Sequence, residues 1–103
     1  MNIQIICHSE HIPVKGNCSA IDNETDVKEE QRILKELEYN QWVWCCIEIQ
    51  GEFKGIMFSD YLGACSYKDE KDFIDNSGYY EDMINTVKKG IQDIINNVQN
   101  VIL

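Results

Sequence analysis

The stretch Trp42 to Tyr67, WVWCCIEIQGEFKGIMFSDYLGACSY, decides the fold, because it is the longest run in which apolar residues dominate without a helical period. Taken two by two, Val43, Cys45, Ile47 and Ile49 fall on one side, while Trp42, Trp44, Cys46, Glu48 and Gln50 fall on the other. Successive side chains leave a strand on opposite sides, so this alternation predicts a strand with one buried face and one half-wet face. Gln50-Gly51-Glu52 is the turn candidate, since glycine takes positive φ without a Cβ clash, and Phe53 to Ser59 supplies the returning strand of a hairpin. Beyond it, Asp60-Tyr61-Leu62-Gly63-Ala64-Cys65 sets small residues where a strand wants bulk. That predicts a bulge or bend near Gly63, and a further strand finishing at Tyr67.

Toward the N-terminus, Asn2 to Cys7 is rich in isoleucine and predicts a first short strand beside the hairpin. His8 to Ser19 loses periodicity and carries the single proline, Pro13, with Gly16 and Asn17 close behind, which reads as an ordered loop. Ser19 to Asp26 is a polar connection. Asp26-x-x-Glu29 has the form of a capping box and opens an acidic helix running to about Glu38, with Val27, Ile33, Leu34 and Leu37 as a sparse apolar stripe.

On the other side, Lys68 to Asp75 reads as a short helical turn anchored by Phe73 and Ile74, broken by Asn76-Ser77-Gly78. The final helix is the clearest element: Tyr80, Ile84, Val87, Ile91, Ile94, Val98 and Val101 step by four and three, widened by Met83, Ile95 and Ile102, with Ser77 as its N-cap. Gly90 interrupts it at a cost of roughly 1 kcal/mol against alanine, which predicts a close approach to the sheet there. The same spacing would suit a coiled-coil homodimer, but beside a sheet it predicts core packing. At 103 residues the chain fits a single α+β domain over 1–103. Its expected architecture is an antiparallel sheet of three or four strands, with a long C-terminal helix and a shorter acidic helix packed on it.

The formal net charge is −9, from nine basic and eighteen acidic residues, and it is unevenly placed. Asp22 to Glu38 holds seven acids against three bases, and Asp60 to Asp82 holds seven against two. Such a field repels nucleic acid and membrane phosphates and favours a basic partner, including a protein groove that normally holds DNA or RNA. The plain alternative is that the acidity keeps a small protein in solution. The opening MNIQIICHSEHIP has no basic region followed by a long apolar run, and no apolar run approaches the roughly 20 residues of a membrane span. Five cysteines without a CxxC pair predict reduced thiols, and hence a cytoplasmic setting.

Cys7, His8, His11 and Cys18 form the one metal-like cluster, but their spacing matches no zinc finger or ribbon, and Cys7 and His8 leave a strand on opposite sides. No metal and no cofactor are expected. Cys18 or Cys65 with His8 or His11 can be written as a nucleophile and base, yet nothing in the sequence brings them together. There is no glycine-rich phosphate loop. The aromatic residues stand among Glu48, Glu52, Asp60, Asp69 and Asp82 rather than among lysines, which disfavours direct nucleic-acid binding.

The loop IPVKGN (Ile12 to Asn17), the acidic helix, WVWCCIEI, DYLGACSY and GYYEDM (Gly78 to Met83) resemble a family of small phage and prophage proteins. That family carries a proline-valine-basic-glycine-asparagine loop, a tryptophan-x-tryptophan strand, a leucine-glycine-x-cysteine-serine-tyrosine segment and a glycine-tyrosine start to the last helix. The resemblance covers Ile12 to Met83, and Cys7, His8, His11 and Cys18 are departures from it. It implies a setting in the bacterial host cytoplasm and a shared structural or binding role for Lys15, Gly16, Asn17, Trp42, Trp44, Leu62, Gly63, Ser66 and Tyr67. It implies no reaction.

The leading expectation is therefore a non-enzymatic phage inhibitor of a host defence protein with a basic surface, such as a CRISPR effector, acting by nucleic-acid mimicry. Its contact residues would be Glu29, Glu30, Asp69, Glu70 and Asp72, with Trp42, Trp44 and Tyr61 as anchors. One alternative is a module that captures a nucleotide-like ligand with Lys15, Asn17, Trp42, Trp44 and Tyr67. Another is a phage housekeeping protein with an ordinary acidic surface.

Overall fold

The computed structural model describes residues 1–17 and 23–101. Strands β2 (Cys45–Phe53) and β3 (Ile56–Cys65) form an antiparallel hairpin, and β1 (Asn2–Ser9) pairs antiparallel with the other edge of β2. The sheet thus has three strands in the order β1-β2-β3. Helix α1 (Asn23–Leu37) lies between β1 and β2, while α2 (Glu70–Asn76) and α3 (Tyr80–Val101) follow the sheet. The fold is α+β, with the long α3 packed along one sheet face. Among the sequence expectations, Cys18, the Ser19 to Asp22 part of the polar connection and Ile102 lie outside the described residues.

The hairpin turns at Lys54-Gly55 and not at Gly51. Both turn residues have positive φ, 49° and 82°, as a two-residue turn matched to the twist of its strands requires. Gly51 sits inside β2, opposite Ile3 and Phe58, where a Cβ would run into the Val87 side chain. In sequence, a glycine kept for its freedom and one kept for its smallness look the same. Here smallness governs, and Gly90 shows the counterpart on the helix: a Cβ there would lie 2.6 Å from the Phe58 ring. The close approach expected at Gly90 is present.

The strand also begins later than its alternation suggests. Gln41–Val43 forms a 3-10 turn, capped by the Asn40 side chain, which accepts from the Trp42 N–H at 3.2 Å. Val43 therefore leaves the face of Cys45, Ile47 and Ile49 and joins Val14, Ile33 and Trp44 in a second apolar cluster. Helix α1 begins at Asn23, three residues ahead of the expected onset at Asp26. Ile33 anchors α1 to this second cluster beyond the end of the sheet, while Val27 and Leu34 stay exposed.

The main core is built from Cys45, Ile47 and Ile49 of β2, Cys65, Phe73 of α2, and Met83, Val87 and Ile91 of α3. Each is buried, and at about 25 cal/mol per Å² their apolar surface is the principal favourable contribution to folding. The bulge expected near Gly63 is present. Cys45 faces Cys65 while Ile47 faces Leu62, so β3 carries an extra residue there, with Ala64 at φ 52°. No separate strand follows: β3 ends at Cys65, and the Tyr67 N–H donates to the Trp42 carbonyl at 2.8 Å. Ser77 is the C-cap of α2 and not the expected N-cap of the last helix: α3 begins at Tyr80, the Tyr79 carbonyl accepts its first helical bond, and the Ser77 hydroxyl accepts only from the Tyr79 N–H ahead of it, at 3.1 Å.

Candidate functional site

Helix α3 covers one face of the sheet, and no helix of the described chain packs on the other. The open face carries the even-numbered side chains of β1 and β2 and, up to the bulge, the odd-numbered Met57, Ser59 and Tyr61 of β3, as the register dictates; beyond the bulge Cys65 turns to the covered face. At its centre lies Glu48, only 6% exposed. Its carboxylate accepts from the Ser59 hydroxyl at 2.5 Å, the Tyr61 hydroxyl at 3.3 Å and the Gln50 amide at 3.5 Å, and its other oxygen lies 2.7 Å from His8 Nε2. Residues of all three strands thus converge on one acid. The Ser59 hydrogen bond, and then the His8 contact, hold its carboxyl below the usual carboxylate range, so it is ionised at neutral pH. Tyr61 offers a ring that is 59% exposed and fixed at its hydroxyl.

The expected anchors do not share a surface. Trp42 lies against the main core, its ring 6.4 Å from that of Phe73. Trp44 is buried in the second cluster, and its indole N–H donates to the Ile12 carbonyl at 2.8 Å. Tyr61 alone stands on the open face. Tyr67 packs edge-on to Phe73 at 5.3 Å, and burial raises its phenol pKa. In the Pro13 to Asn17 loop, the Asn17 amide donates to the Pro13 and Lys15 carbonyls at 2.8 and 3.2 Å, and Gly16 takes φ 80°. Asn17, Trp44 and Tyr67 are thereby engaged within the fold, and Lys15 is exposed.

The acids divide in the same way. Asp69 is the N-cap of α2, accepting from the Asp72 N–H at 2.8 Å. Asp72 accepts from the Lys68 N–H at 3.0 Å and from Asn76 at 2.9 Å, and the first of these lowers its carboxyl pKa. Glu30 accepts from the Gly16 N–H at 2.8 Å and so ties the loop to α1. Glu29 pairs with Arg32, which lowers its pKa, and Arg32 also reaches Glu36 at 3.0 Å. Glu70 is exposed and makes no such contact.

Cys7 sits beside Cys45 against the main core, while His8 faces Glu48 across the sheet. Cys65 lies on the Cys7 side, its thiol donating to the Leu62 carbonyl at 3.2 Å, so the sheet separates it from His8. Cys7, Cys45, Cys46 and Cys65 are free thiols. Burial raises all four, Cys65 to about 11, which disfavours the thiolate. Among the described residues, no three His, Cys, Asp or Glu side chains gather as a metal site. No helix of the described residues is long and apolar enough to cross a membrane.

The His8–Glu48 pair was missed by sequence reasoning. The available signal was an acid between two isoleucines in the middle of the most apolar strand, a position that alternation alone assigns to a half-wet face. Comparison of the chain with protein-family models, with curated proteins and with solved structures finds no match.

Proposed function

We propose that the chain acts by binding rather than by catalysis, as a small acidic phage-type protein that occupies a basic, nucleic-acid-binding surface of a host defence protein such as a CRISPR effector. One observation carries this reading. Among the described residues, none of the acids between Asp60 and Asp82 forms an ion pair: the pairs are His8–Glu48, Arg32 with Glu29 and Glu36, and Lys89–Asp93. Asp69, Glu70, Asp75, Glu81 and Asp82 are all exposed. An uncompensated negative field of this kind steers a basic partner and repels nucleic acid. The molecule measures 62 × 22 × 22 Å, long enough to lie along an extended groove.

The test uses acids with no structural partner. Glu38→Lys, Glu70→Lys and Asp75→Lys together raise the formal charge from −9 to −3 without touching the Asp69 cap or the bonds of Asp72. Added to a host nuclease, the wild type is expected to block nucleic-acid binding and the triple variant to block it at least about tenfold less well. The block should weaken as salt rises, because exposed charges are screened beyond about 8 Å at physiological ionic strength. Equal inhibition by both proteins would refute the proposal.

A further inference from the structure

The open sheet face is built in a way that stability does not require. A central-strand position facing solvent is well served by threonine or valine, whereas a buried carboxylate loses hydration and needs compensating donors. Here Glu48 is 6% exposed, with donors supplied by the flanking strands and by its own. The strand side chains of this face include Glu48 and Glu52 but no lysine or arginine, and Lys54, at the hairpin tip, folds back over the Phe53 ring. Around the acids stand exposed apolar groups: Tyr61 at 59% and Met57 at 55%. Glu52 and Met57 border an open groove of about 600 Å³.

We infer that this face is the docking surface for an extended, arginine-bearing segment of a protein partner. The inference rests on the binding function proposed above and names where the partner's backbone would lie. The spacing fits such a segment. Glu48 and Glu52 lie four residues apart on β2, as do Tyr61 and Met57 on β3, which is about 13 Å at the rise of a strand. An extended partner places same-side residues i and i+4 at that same separation. At one end, a guanidinium stacks on the Tyr61 ring, which its hydroxyl bond to the ionised Glu48 holds in place, and cation–π attraction adds to the field of the carboxylate. At the other end a second guanidinium meets Glu52, with the partner's aliphatic stems over Met57.

The test is a titration of the isotopically labelled full chain with a synthetic peptide alternating arginine and valine, beside one alternating glutamate and valine, followed by amide chemical shifts. The arginine peptide is expected to shift His8, Cys46, Gln50 and Ser59, and the glutamate peptide none. Tyr61→Ser should weaken binding about tenfold, as loss of an aromatic anchor does, while the cooperative thermal transition is retained. Glu48→Gln should weaken it as well. Shifts confined to α1 and to residues 68–82 would overturn the docking face while leaving the acidic-binding proposal standing. Concentration-dependent shifts on the open face without peptide would assign that face to a second copy of the chain and overturn the inference. Absence of arginine-peptide binding at low salt would overturn it too. The functional proposal fails separately, when the Glu38, Glu70 and Asp75 variant inhibits as well as wild type.

Discussion

The two faces of the sheet are made from the same three strands and obey opposite rules. On the α3 side, Cys45, Ile47 and Ile49 meet Met83, Val87 and Ile91, and two glycines, Gly51 and Gly90, allow helix and strands to approach closely. On the open side, one acid gathers hydroxyl, imidazole and amide groups. The difference teaches that a shared backbone transmits register but not chemistry. The covered face is fixed by volume, and the open face by which polar groups satisfy one another.

The largest expected effect tests the covered face. Ile91 is 1% exposed, so Ile91→Asp buries a charge without a partner. The cost, several kcal/mol, is comparable with the whole stability of a domain this size, about 5–15 kcal/mol. Loss of the cooperative thermal transition is expected in circular dichroism; an unchanged melting temperature would erase the distinction between the faces. Next is Gly90→Ala. On propensity alone it should stabilise α3 by about 1 kcal/mol, but the Phe58 ring occupies the space, and the expected net effect is a loss of about 1–3 kcal/mol in urea denaturation. A gain would mean that the ring swings aside and that volume does not rule this face.

The smallest effect sharpens the open side. The carboxyl of Glu48 titrates lower in the folded chain than its ordinary value of 4.5, owing first to the Ser59 hydroxyl and then to His8. Its contribution to stability is therefore present above that ordinary value and is lost as pH falls through the lowered folded value. Glu48→Gln should cost about 1 kcal/mol at neutral pH. It should also flatten the fall in stability on acidification, leaving the part due to Glu10, Glu29 and Asp72, whose carboxyl pKa values are lowered as well. Identical acid profiles for variant and wild type would show that the network around Glu48 contributes nothing to stability.

Much of the fold was legible because it rests on period. The step of four and three in α3 as far as Ile91, the alternation from Cys45 to Ile49 and the small residues around Gly63 each carry a local physical cause and stand where they were expected, whereas Val98, further along the same stripe, is exposed. What failed was local ambiguity resolved by distant contacts. Gly51 reads as a turn until Val87 is placed against it, and Trp42 and Trp44 read as strand neighbours until the cap at Asn40 winds the chain between them. The site was the least legible part. The acids chosen by charge density include a helix cap and a loop tie, whereas Glu48 acquires its character from Ser59 on the returning strand and then from His8, forty positions away in the chain.

The carboxylate of Glu10 fastens two stretches that lie far apart in the chain. It accepts from the backbone N–H of Ala64 at 2.5 Å, fifty-four residues ahead, and from the Ile12 N–H at 3.1 Å, so the chain leaving β1 is fastened to the bulge of β3 across the end of β2. The hairpin closes a short loop through Lys54-Gly55, and α3 can settle on it soon afterwards. β1 must instead be recruited from the far side of α1, at the entropic cost of a much longer loop. Glu10 therefore acts as a clasp on the longest closure in the sheet. It holds β1 by tying the chain that leaves it to the place where the regular ladder of the hairpin is broken.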